Sequence, residues 1–323
     1  MHLKDKILVT GVNGFVGHHV AKQLHNSGYF VVGASNQVKL ENDLVGTVDE
    51  YISCDLTNSE DVSKINLSEI IAIINLAGFA KVGDSRGQGE LYNRVNVGVH
   101  TVLYEECLKQ NAQPRIIAIS TGAVYDPNQP LPITEESLLI DDSKTNEYVI
   151  SKKLAEQAIA AFNNKGLKCI IVRPFNHSGP GQLPGFLLPD LGEQLDSAVS
   201  KSEPLKVGNL ETRRDYTDVR DVARAYVELA TCPDDNLKYS IYNICSGKST
   251  SGKDILNFMA KASGVENLST ETDPERIRPN EVMDIYGSHD RLTEATEWQP
   301  SISVEQMVKD FVVWKKSGDV EKS

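Results

Sequence analysis

Thr10-Gly11-Val12-Asn13-Gly14-Phe15-Val16-Gly17 is the stretch on which the fold turns. An apolar run, Ile7–Thr10, leads into it, and an amphipathic stretch, Phe15–Asn26, follows. A strand, a glycine turn and a helix are therefore expected in succession. Glycine spaced G-x-x-G-x-x-G permits a tight turn and close backbone approach, so that the free N–H groups at the helix start can hold a pyrophosphate. A dinucleotide site is the reading this pattern supports, on Gly11, Asn13, Gly14, Phe15, Val16 and Gly17.

Outward from that turn, short apolar runs alternate with amphipathic ones. Tyr29–Ala34, Tyr51–Cys54, Ile71–Leu76, Ile116–Ser120 and Leu167–Arg173 read as buried strands, and Ser59–Ile65, Gln88–Gln110 and Glu147–Asn163 as helices. The strand runs are continuously apolar, which marks a parallel sheet covered on both faces. The expected fold class is α/β, a doubly wound parallel sheet with a smaller, partly discontinuous C-terminal lobe. Residues 1–174 form the dinucleotide-binding unit in this reading, and 175–323 the second lobe. The rhythm changes after Pro174, where Gly and Pro crowd Gly179 to Pro189. Later segments, about 215–245, are expected to return to the sheet. A strand at Ser240–Ile244 and helices at Val219–Ala230, Gly252–Ala262 and Val304–Lys315 complete the pattern.

Composition narrows the partners. The 323 residues carry a net charge of −12, and no basic run exceeds two residues. Such a chain lacks the stripe of Lys and Arg that nucleic acid or an anionic membrane surface draws on. The apolar run from Ile70 toward Ala80 is too short to span a bilayer. Nothing near Met1 reads as a secretory signal, so the cytoplasm is the expected compartment. The five cysteines are scattered singly and the seven histidines show no ligand spacing, so neither a disulfide framework nor a metal site is expected.

Tyr148-Val149-Ile150-Ser151-Lys152 is the chain's one Tyr-x-x-x-Lys. Its i, i+4 spacing places both side chains on one helix face, after the strand and loop that carry Ser120-Thr121. The glycine spacing, Asp55-Leu56 after the third strand, Leu76-Ala77-Gly78 after the fourth and this Tyr/Lys pair together resemble the extended short-chain dehydrogenase/reductase family. Two longer blocks, Arg173 through Asp190 and Val207 through Asp221, with Asp273-Pro274-Glu275-Arg276-Ile277-Arg278-Pro279, resemble the GDP-6-deoxy-D-mannose reductase branch over nearly the whole chain.

That resemblance implies roles. Lys152 holds the nicotinamide ribose and lowers the Tyr148 pKa, Tyr148 exchanges a proton with a sugar oxygen, and Thr121 donates to that oxygen, with Ser120 as the alternate. Asp55 and Leu56 contact the adenine, Leu76, Ala77 and Gly78 cradle the cofactor, and Pro174 and His177 belong to the same cofactor set. Arg214 and Arg278 clamp the diphosphate of a sugar nucleotide, with Asn176 as a neutral donor. The helices near 88–110 and 147–163 commonly pair across a dimer axis in this family, so a homodimer is expected.

The chemistry within the family is read from two places. Dehydratases carry acids just after the catalytic Thr, where this chain has Gly122 and Ala123; the resembling reductases also tend to carry Glu near this point. NAD-retaining members usually end strand two with Asp or Glu, whereas Ser35-Asn36-Gln37-Val38-Lys39 stands here. Ser35, Asn36 and Lys39 suit a 2′-phosphate, so NADP(H) is the expected cofactor, with NAD(H) as the other. The expected reaction is NADPH reduction of the carbon 4 ketone of a GDP-4-keto-6-deoxy-hexose, giving GDP-D-rhamnose or a stereoisomer. A nucleotide-sugar 4-epimerase and a silent NADP-binding protein are the alternatives.

Overall fold

The computed structural model describes residues 4–277 and 281–318. Seven parallel strands form its main sheet: β1 (Lys6–Thr10), β2 (Phe30–Ser35), β3 (Glu50–Ser53), β4 (Ile70–Asn75), β5 (Arg115–Ile119), β6 (Lys168–Pro174) and, later in the chain, β10 (Ile241–Ile244). Their order across the sheet is β10-β6-β5-β4-β1-β2-β3, which reverses direction at β1 and β4. Alternate side chains divide between two cores. Ile7, Val9, Ile74, Ile117 and Val172 face one, packed against α1 (Phe15–Asn26); Leu8, Ile73, Ile116 and Ile171 face the other. The second core is closed by α2 (Ser59–Val62), α3 (Gly89–Lys109) and α4 (Glu147–Asn163). Both faces are thus covered, as continuous apolar strands require.

Between β6 and β10 the chain builds much of a second layer. β7 (Asn176–Ser178), α5 (Leu187–Lys201), β8 (Leu205–Val207), β9 (Arg213–Asp218) and α6 (Val219–Thr231) lie there. After β10 come β11 (Ser249–Ser251), α7 (Gly252–Ser263), β12 (Thr270–Thr272), β13 (Asp284–Ile285), α8 (Asp290–Thr296) and α9 (Val304–Gly318). The segment that returns to the main sheet runs from α6 to β10. α6 packs on α1, and β10 extends the sheet, whereas β9 pairs with β7, β11 and β13. A third core lies between α5, α7 and α9, around Leu191, Leu195, Met259, Met307 and Phe311.

The helix α5 was hidden by Gly and Pro density before it. Pro189 sits in its first turn, where a missing N–H costs nothing. The buried face, Leu188, Leu191, Leu195 and Ala198, repeats at helical spacing. The stretch expected as a helix over Ser59–Ile65 is helical only to Val62, and Lys64 and Ile65 continue it as turns. Strand register puts Thr10, Ser35, Asn75, Ile119, Pro174 and Ile244 along one edge. That C-terminal edge, at the point where strand order reverses, is where open α/β sheets bind ligands.

Candidate active site

The glycine turn leaves no room for side chains. An added Cβ at Gly17 would lie 2.3 Å from the Gly11 carbonyl oxygen and 2.6 Å from that of Val12. Gly11 takes a φ of +64°, and its own Cβ would press on the backbone of Leu76 and Ala77 at 3.1–3.3 Å. The loop ends of β1 and β4 therefore meet backbone to backbone. Gly14 starts α1 without a side-chain cap, and no acid occupies the first turn. An uncapped, acid-free helix start beside bare glycine backbone fits a dinucleotide pyrophosphate.

Asn13, half-buried, bonds to the loop after β2. Its amide donates to the Lys39 carbonyl at 2.9 Å and to Gln37 and Ser35, while its oxygen accepts from the Glu41 N–H. Tyr51, which the sequence did not single out, closes the same loop: its hydroxyl donates to the Gln37 carbonyl at 2.6 Å and lies 2.8 Å from Ser35 Oγ. Asn13 and Tyr51 thus fix the segment after β2, and Asn36 and Lys39 stand exposed on it. No carboxylate takes part in this network. Asp55 is exposed and folds its carboxylate back onto Thr57, while Leu56 is buried.

At the end of β4, Leu76 and Ala77 are half-buried and Gly78 is exposed with a φ of +143°. Its Cβ position would be 2.8 Å from Asn96 Oδ1 and 3.9 Å from Lys152 Nζ. Asn96 on α3 accepts from the Phe79 N–H and donates to Ser151, tying this loop to α4. Deeper down, Thr10 donates to Asn75, Asn75 meets His100, and His100 meets Tyr104. Burial drives the His100 pKa down to about 3, so the imidazole is neutral.

Tyr148, Lys152 and Thr121 converge where α4 crosses the ends of β5 and β6. Tyr148 and Lys152 are 8% and 7% exposed on the inner face of α4. Asn146 caps the helix through the Val149 N–H and sets where that face begins. Thr121 lies against the Tyr148 hydroxyl and draws its pKa down; burial, the larger influence, pushes it up. Thr121 Oγ1 accepts from the Ala123 N–H at 3.2 Å, which leaves the hydroxyl hydrogen to donate. Ser120, the alternate, is committed elsewhere, because its hydroxyl donates to the buried Glu156. Lys152 Nζ donates to the Ile119 carbonyl at 3.0 Å, and burial brings its pKa down to about 8 against the pull of Glu156. Tyr92 packs edge-on to Tyr148 with ring centroids 6.5 Å apart. Lowering of the Tyr148 pKa by Lys152, implied by the resemblance, is not the dominant influence in this arrangement.

Gly122 has a steric reason. Its Cβ would meet the Phe175 ring at 2.9 Å, so no acid can follow Thr121 unless Phe175 moves. Pro174 ends β6 in the sheet, and His177 bonds the Phe175 carbonyl and stacks parallel to Phe15 with centroids 6.4 Å apart. Asn176 is exposed on β7 opposite Tyr216, two residues from Arg214 on β9. Arg214 donates to the Arg213 carbonyl and, among the described residues, makes no ion pair, unlike Arg213, Arg220 and Arg276. Arg278 lies outside the described residues.

A profile described as "NAD dependent epimerase/dehydratase family" matches residues 7–245. A GDP-6-deoxy-D-mannose reductase from Pseudomonas aeruginosa is 28% identical over 315 residues, covering 95% of this chain and 96% of that protein. The solved structure of RMD from Pseudomonas aeruginosa with NADPH is 26% identical, with a TM-score of 0.78 over 97% of this chain and 99% of that one. A UDP-glucose 4-epimerase from Thermotoga maritima, at 24% identity, shares the fold with a TM-score of 0.84 over 97% of this chain and 99% of its own.

Proposed function

The chain belongs to the NAD dependent epimerase/dehydratase family, and from that premise we propose that it reduces the carbon 4 ketone of a GDP-linked 4-keto-6-deoxy-hexose, using NADPH. The observation that carries the choice of NADPH is the segment after β2. Asn13, Ser35, Gln37 and Tyr51 shape it without a carboxylate, and exposed Asn36 and Lys39 favour a 2′-phosphate over a bare ribose hydroxyl. A cofactor released after each turnover suits net reduction, whereas an epimerase keeps its NAD.

The glycine turn, the start of α1, Asp55, Leu56, the Leu76–Gly78 edge, Pro174 and His177 would hold the cofactor, with Lys152 at its nicotinamide ribose. When bound, the reduced nicotinamide supplies a hydride to carbon 4. Tyr148 gives its proton to the oxygen as that carbon–oxygen double bond becomes an alkoxide, so the ketone gains one hydride and one proton. Thr121 donates to the same oxygen and stabilises its growing charge. Lys152, protonated, stabilises the phenolate that Tyr148 becomes. Arg214 and Arg278 clamp the diphosphate and Asn176 adds a neutral donor. Gly122 and Ala123 offer no acid or base for elimination, which sets dehydration aside.

The same reading makes the protein a homodimer paired through α3 and α4, which carry the exposed Leu154 and the half-buried Leu91 and Ile150. Purified protein mixed with NADPH and GDP-4-keto-6-deoxy-mannose should consume NADPH, and Tyr148→Phe should abolish this while still binding cofactor. If NADPH is untouched and UDP-glucose and UDP-galactose interconvert instead, the epimerase reading replaces this one.

A further inference from the structure

Behind the Tyr148 and Lys152 face of α4 lies a buried ion pair that the proposed chemistry does not use. Glu156 and Arg173 have side chains 9% and 4% exposed. The guanidinium donates through Nε and Nη2 to both carboxylate oxygens, at 2.9 and 2.6 Å. Ser120 donates to the first of those oxygens. Arg173 also lies over the Tyr125 ring, 4.8 Å from its centroid.

Buried pairs are poor sources of stability, since the loss of water around two charges roughly offsets their attraction. The position of this one is informative. Glu156 is one helical turn beyond Lys152 and two beyond Tyr148, on the same face of α4. Through Ser120 it holds the residue between Ile119, whose carbonyl receives Lys152, and Thr121. Through Arg173 it holds the end of β6, which leads to Pro174 and His177. One carboxylate thus joins α4, which carries the proton donor and its lysine, to the end of β5, which leads to the oxygen-binding hydroxyl, and to the end of β6.

We propose that Glu156 is a positioning residue of the active site, fixing Thr121 through Ser120 and the end of β6 through Arg173, and setting its charge one helical turn from Lys152. The groups facing this pair agree with that assignment. From α3, His100 approaches Lys152 as a neutral ring, and Tyr92 approaches Tyr148. The backbone at Gly78 lies near Lys152 Nζ, and the Ile119 carbonyl at the end of β5 accepts from it. Around Glu156 stand Arg173, Tyr125 and, beyond them, Glu135. Glu156 thus acts on Lys152 against the burial that lowers its pKa. Burial works to neutralise Arg173 too, but its hydrogen bonds to Glu156 more than offset this, so its pKa is raised.

The inference rests on the proposed roles of Tyr148, Lys152 and Thr121, and its test separates the two. Protein carrying 13C at lysine Cε is titrated by NMR without substrate, with Lys152→Met assigning the signal. Glu156→Gln should move the Lys152 midpoint to lower pH by about one unit or more. Glu156→Asp should restore most of it. Ser120→Ala should leave the midpoint in place yet lower kcat roughly tenfold with KM little changed, because it loosens Thr121 and spares the charge. Should Glu156→Gln fail to fold, Glu156→Gln with Arg173→Met leaves no orphaned charge, and its midpoint should move the same way. An unmoved midpoint in a folded variant overturns the proposal. A moved midpoint with Tyr148→Phe fully active would instead overturn the catalytic roles and leave the Glu156–Lys152 coupling standing.

Discussion

Gly17→Ala sets two measurable effects against each other. Within a helix interior, alanine is favoured over glycine by about 1 kcal/mol. At this position, however, the new Cβ sits 2.3 Å from one backbone oxygen and 2.6 Å from another. Both fall about 1 Å short of ordinary contact, and backbone atoms cannot rotate away. Overpacking of this kind costs about 1–3 kcal/mol, so the clash should outweigh the helical gain and leave net destabilisation of about 1 kcal/mol. The larger effect should be on cofactor. Relief of the clash shifts the Gly11–Val12 turn against the start of α1, and loss of one charge-assisted hydrogen bond, about 1.5–3 kcal/mol, raises the NADPH Kd roughly tenfold or more. Calorimetric titration with NADPH and urea unfolding would measure both. Gly192→Ala on α5 is the control, because its Cβ would meet neighbours at an ordinary 3.5 Å. That variant should be slightly stabilised and bind NADPH as before. Wild-type affinity together with raised stability in Gly17→Ala would refute the reasoning.

Asn36→Asp should place a charge beside the proposed 2′-phosphate and weaken NADPH roughly tenfold relative to NADH; unchanged discrimination in fluorescence titrations would count against the NADP reading. His100 gives a pH signature. Burial holds it neutral down to about 3 in the folded chain, while the unfolded imidazole titrates near 6.5. Between those values the unfolded state binds the extra proton, so stability rises with pH, and falls on acidification, by up to ~1.4 kcal/mol per pH unit. His100→Gln should flatten urea-unfolding stability across pH 4–6; an unaltered slope would show that other groups set it. Leu154→Arg, on the outer face of α4, should convert the proposed dimer to monomer in light scattering, and a wild-type mass would place the interface elsewhere.

The first 174 residues were legible because each core strand there is a continuous apolar run and α1, α3 and α4 are long enough to show their period, unlike the four-residue α2. α1 and α4 begin and end where the sequence places them, at Phe15–Asn26 and Glu147–Asn163. Beyond Pro174 the elements are short. β7, β8, β11 and β12 have three residues each, too few for periodicity to register. They are set by pairing with distant partners. The site divides similarly. Glycines and the Tyr148/Lys152 pair announce themselves by spacing, whereas nothing in the sequence singles out Glu156, four residues beyond Lys152. Tyr51 and Asn96 carry no local signal, since each acts by reaching a loop that only the folded chain brings near. The steric reason for Gly122 is equally nonlocal, because Phe175 lies in a different element.

The most direct test is the fate of the cofactor hydrogen. NADPH carrying deuterium at nicotinamide carbon 4, on the transferred face, is incubated with GDP-4-keto-6-deoxy-mannose, and the sugar is analysed by mass spectrometry and NMR. One deuterium at sugar carbon 4 for each NADPH oxidised is the expected result. Recovery of intact labelled NADPH, with UDP-hexoses epimerised at carbon 4 and carrying no label, would contradict it.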